Sequence, residues 1–99
     1  MWPKYDVPFF FHIRDREDGE ATVCFVPVEP GTAKFAPGVA VCRADNYNKK
    51  VGRAISLGRA EVALNKSEFV SANNYDELSN VAKDMATNAI NRVISRFSK

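Results

Sequence analysis

The hydrophobic pattern of this chain changes period once, near residue 48, and that switch limits which folds it can adopt. Before it, Phe9, Phe11 and Ile13 alternate with Phe10, His12 and Arg14, the period-two pattern of an extended segment. After it, Val51, Ala54, Ile55, Gly58 and Val62 recur at three- and four-residue steps, as on one face of a helix. Strands come first and helices follow. With 99 residues there is room for one domain, spanning 1–99.

The local signals place the elements. Asp15-Arg-Glu-Asp-Gly-Glu20 is polar and carries Asp-Gly, a reversal signal. Residues 21–29 are rich in β-branched and aromatic side chains, so the two runs form an antiparallel hairpin. Pro27 lacks a ladder donor and marks an edge, a bulge or a strand end. Glu29-Pro-Gly-Thr and Ala36-Pro-Gly38 bracket a loop, since Pro-Gly suits a type II turn, and residues 39–43 make a third strand. Residues 65–74 read as polar turn. Asn74 followed by Glu77 starts a second helix that carries Leu78, Val81, Ala82, Met85, Ala89, Val93 and Phe97. Its apolar arc also takes in Ala86, Ile90 and Ile94, wider than the usual stripe.

The expected fold class is α+β: a small antiparallel sheet of about three strands followed by two C-terminal helices, both packed on one face. Strand one is apolar in both registers, Phe9 and Phe11 on one side and Phe10 on the other. That surplus, with the wide helical arc, predicts a homo-oligomer, unless Trp2, Tyr5 or Phe35 folds over the second face.

Residue chemistry argues against an enzyme. There is one histidine, and Cys24 and Cys42 are too far apart for a metal knuckle, so no metal site and no cofactor are expected. No serine lies in a Gly-x-Ser-x-Gly elbow, and no phosphate-binding glycine loop appears. His12, among phenylalanines, reads as structural. The two cysteines read as reduced core residues, although pairing of strands two and three could bring the thiols together. No apolar run approaches the roughly 20 residues of a membrane span, and no leader pattern opens the chain. A cytoplasmic location with no membrane contact is the expectation.

Charge is regional. Residues 1–41 hold four cations against six anions, and residues 67–99 balance, but residues 42–66 hold six cations against two anions. Within that block Lys49, Lys50 and Arg53 crowd a helix start, where the dipole prefers anions. Free backbone N–H groups plus these side chains suit an oxyanion or phosphate, with Asp45 as an internal neutraliser. Gly52 and Gly58 each cost about 1 kcal/mol in a helix interior relative to alanine. They serve either close packing or close approach of a ligand beside Arg59. The predicted anion- or partner-binding surface is thus Arg43, Asp45, Tyr47, Asn48, Lys49, Lys50, Arg53 and Arg59. The competing surface is the acidic hairpin tip, Asp15, Glu17, Asp18 and Glu20, a mimic of phosphates if it is more than solvated turn.

The run Cys42-x-x-Asp45-x-Tyr47-Asn48-Lys49-Lys50-x-Gly52-Arg53-x-Ile55-Ser56-x-Gly58-Arg59-Ala60 resembles a segment of small accessory proteins of bacteriophages and prophages. Ser56 stands where alanine is usual, and the likeness covers about 20 residues. It implies a phage-type protein of the kind that disarms host defences by binding, anti-CRISPR-like. The implied partner is a host defence complex, masked by the chain, or a nucleotide second messenger, sequestered by it. The alternative is a nucleic-acid-binding accessory protein that sets the basic segment 43–59 against phosphates.

Overall fold

A computed structural model describes residues 2–15, 19–42 and 49–97, with the side chains of Asp15, Cys42 and residues 94–97 outside that description. Strands β1 (Phe9–Asp15), β2 (Gly19–Pro27) and β3 (Lys34–Cys42) precede helix α1 (Lys49–Asn65). A two-residue strand β4 (Val70–Ser71) and helix α2 (Tyr75–Phe97) follow. The sheet is antiparallel in the order β1-β2-β3-β4. The α+β class and the hairpin are as the sequence predicts, with β4 added inside the stretch read as turn.

The register sorts the side chains. Phe9, Phe11 and Ile13 face the same side as Phe25, Val23 and Ala21, their partners across the ladder. Phe35, Val39 and Val41 of β3 join them, and α2 covers this face with buried Leu78, Ala82, Ala86 and Ile90. Trp2 closes one end, its ring 5.4 Å from Phe9 and 5.8 Å from Phe35. Its indole N–H donates to the Ala72 carbonyl at 2.7 Å.

The opposite face belongs to α1, so the expectation of two helices on one face is wrong. Thr22, Cys24, Ala36, Gly38 and Ala40 point that way, and α1 lies across β2 and β3. A Cβ on Gly38 would collide with the Ser56 carbonyl oxygen and the Ala60 backbone nitrogen. The helix backbone thus rests on the bare strand. Such closeness admits only small side chains, and Gly52, Ser56, Ala60 and Ala63 are the buried ones. The helical period is correct and its phase is not: Val51, Ile55 and Val62, expected to face the core, are exposed. α1 covers the β2 and β3 part of the second face from within the chain, while Phe10 on β1 is only half-buried.

Two Pro-Gly pairs have different fates. At Glu29-Pro-Gly-Thr, Gly31 has φ 82° and the Thr32 N–H donates to the Glu29 carbonyl at 3.3 Å, as a type II turn requires. Pro37-Gly38 instead lies inside β3, which begins at Lys34, not at Val39. The hydrogen bonds explain why. Val28 N–H donates to the Lys34 carbonyl and Ala72 N–H to that of Ala33, so odd-numbered residues of β3 face away from β2. Beyond Phe35, where β4 ends, that side is an open edge, and the N–H that Pro37 lacks would have pointed into it.

β4 marks where the chain crosses from one face to the other. Asn74 then caps α2 as predicted: its side-chain oxygen accepts from the Glu77 N–H at 2.9 Å. Glu77 returns the contact to the Asn74 side-chain amide at 3.2 Å rather than to its backbone.

Candidate functional site

The helix start and the open edge of β3 are the two places where cations gather. α1 opens with Lys49 and Lys50 exposed and no acidic residue in its first turn. Arg53 is exposed one turn on. Their field reaches β1: burial first, then Lys49 and Arg53, hold the His12 imidazole below its ordinary 6.5, against a smaller upward pull from Glu20. His12 Nδ1 lies 3.0 Å from the Thr22 hydroxyl. Arg43, Asp45, Tyr47 and Asn48 lie outside the described residues, so the predicted surface is seen only in its helical part.

Arg59 separates from these three. It leaves α1 toward the open edge and donates to the Val39 carbonyl, an outward-facing edge acceptor. There it borders a cleft of about 430 Å³. Val39 and Val41 form one wall, Met85, Ala89 and Val93 of α2 the other, with Asn88 and Arg92 completing the polar side. The two guanidiniums reach the cleft from helices on opposite faces of the sheet. Such a site suits an anion with an apolar body: guanidinium forks take oxyanions, an amide takes a further polar atom, and aliphatic walls take the rest. No lining residue is a His, Cys, Ser, Thr, Asp or Glu, so the described walls offer no nucleophile and no general base.

Sequence reasoning names Arg59 but misses Arg92, Asn88 and the wall of α2. The one signal is the wide apolar arc: Leu78, Ala82, Ala86 and Ile90 are buried, whereas Val81, Met85, Ala89 and Val93 stay half-buried. The second row was too apolar for solvent alone. The two helix glycines also part company. Gly52 is buried against the sheet, while an added Cβ on Gly58 would meet nothing within 4 Å.

On the acidic surface, Glu20 is mostly buried and held by Arg14 at 3.3 Å. Glu17 and Asp18, with the Asp15 side chain, lie outside the described residues.

The backbone register keeps Cys24 and Cys42 apart along the sheet. Cys24 lies opposite Gly38 and Cys42 opposite Glu20, four rungs away, about 13 Å along the ladder. Disulfide geometry needs Cα atoms within about 7 Å. Cys24 is a free, fully buried thiol whose pKa burial pushes up to about 12, with a lesser push from Glu61.

Among the described residues no helix is long and apolar enough to cross a membrane. No known family, curated protein or solved structure matches the chain.

Proposed function

We propose that this chain is a non-enzymatic, phage-type accessory protein that inhibits a bacterial defence system in the host cytoplasm by stoichiometric binding. The observation that carries the reading is the cleft where Arg59 and Arg92 flank an apolar floor. It favours sequestration of a nucleotide second messenger over masking of an effector complex, because a concave site of this size fits a small ligand. Phosphates would lie against the guanidiniums, and base and sugar against Val39, Val41 and Met85.

The test is calorimetry with a panel of cyclic and linear nucleotides. One member of the panel should bind at one site per chain, unchanged on recovery, and raise the thermal midpoint. Arg92→Ala should weaken that binding at least about thirtyfold, the loss of a charge-assisted hydrogen bond or two. A panel without a binder sinks sequestration, and capture of an intact defence complex from infected cells would then favour masking.

The second reading, nucleic-acid binding, draws support from Lys49, Lys50 and Arg53, all exposed, and from the field of Lys49 and Arg53 at His12. It requires affinity for DNA or RNA that falls steeply with salt.

A further inference from the structure

The outer face of α1 carries a feature that neither the core nor the cleft uses. Val51, Ile55 and Val62 are 47%, 40% and 51% exposed, and with Gly58 they form a single stripe at four-, three- and four-residue steps. The stripe lies about 125° around the helix from the buried row of Gly52, Ser56, Ala60 and Ala63, at about 100° per residue. A glycine at the centre of such a stripe weakens the helix, and an added Cβ on Gly58 meets nothing within 4 Å. No contact with the described residues therefore explains its bareness.

The stripe is its own complement. Turned end for end, it returns to itself about a point between residues 56 and 57. Val51 then meets Val62 of a second copy, and Ile55 meets the bare backbone at Gly58, a knob set into a hole. Charge fits the same arrangement. Lys50 and Glu61 stand within about 20° of one another on one flank of the stripe. The end-for-end pairing sets Lys50 of each copy beside Glu61 of the other, on almost the same midpoint. A parallel pairing would stack each residue on itself, with Ile55 against Ile55 and Gly58 against Gly58.

We propose that two copies of this chain associate through antiparallel packing of α1 on α1, with Ile55 of each seated over Gly58 of the other. This surface is distinct from the second apolar face of β1 and the wide arc of α2 first expected to drive assembly, and it leaves the cleft of each copy on the flank. The contact is small, so the dimer forms in the micromolar range rather than as an obligate pair.

Sedimentation equilibrium of the intact protein from about 1 to 500 μM tests it. The mass should rise from 11.0 kDa toward twice that value. Gly58→Leu fills the hole, and its Cβ enters open space in the monomer, so its mass should stay at 11.0 kDa while its thermal midpoint is held or raised. Lys50→Glu and Glu61→Lys should each weaken association, and the double swap should restore it. A wild-type mass fixed at 11.0 kDa across the series overturns the proposal. So does a dimer that survives Gly58→Leu, or a double charge swap no better than either single one.

Discussion

Gly38 and Gly58 are the same residue type with opposite consequences, and the difference lies wholly in what stands above each. At Gly38 a methyl group would enter the backbone of α1, so Gly38→Ala should cost about 3 kcal/mol or more in urea unfolding, as overpacking against a rigid neighbour does. Gly58→Ala, with open space around it, should gain up to about 1 kcal/mol at concentrations where the chain is monomeric. Equal effects at the two positions would contradict the seating of α1. His12 gives a pH test. Its folded pKa lies below 6.5, so the unfolded chain takes up the proton first. The stabilisation from a neutral His12 is complete above 6.5 and is lost as pH falls through the lower, folded value. The midpoint of the wild type should therefore fall more than that of His12→Gln between pH 7 and 5, in roughly the range where histidine titrates. An imidazole seen by NMR to titrate at 6.5 or above would remove the field of Lys49 and Arg53 from the account. Cys24, buried and with its pKa near 12, should resist thiol reagents in the native state and react promptly in denaturant.

At the scale of elements, α1 shows how a correct period can carry the wrong phase. Choosing the largest aliphatics as the buried face is sound when a helix meets a sheet of ordinary side chains at the usual spacing. Here β3 offers Ala36, Gly38 and Ala40, and the helix comes so near that only Gly52, Ser56, Ala60 and Ala63 fit beneath it. Pro37-Gly38 misleads for a related reason. The pair has the composition of a turn, but each residue answers a tertiary demand: no donor toward the open edge, and no Cβ toward α1. In α2 the reading succeeds. Asn74 and Glu77 interact within one turn, and the buried row at four-residue steps needs nothing remote to define it.

For the whole molecule, the two helices on opposite faces decide where function can lie. Arg59 reaches the cleft by passing the edge of β3 from one face, and Arg92 reaches it from the other. The nucleotide test and the dimer test address different surfaces and fail separately. Arg92→Ala should weaken ligand binding at least about thirtyfold and leave the sedimentation profile unchanged, whereas Gly58→Leu should spare ligand binding and abolish association. Loss of both properties in either variant would show that cleft and stripe are one site.

What the sequence determined by itself is what short-range physics controls. The hairpin follows from alternation and Asp-Gly, the turn at Gly31 from Pro-Gly, the start of α2 from its cap, and the regional charge from simple position. Tertiary structure alone decided which face each helix covers and which side of α1 is buried. It also decided that Arg59 leaves the company of Lys49, Lys50 and Arg53 to meet Arg92. These depend on the clearance between helix and sheet and on contacts between residues 20 and more positions apart, as from Val39 to Arg59. Periodicity reports that a face exists; only the partner laid against it determines whether small or large side chains will fit.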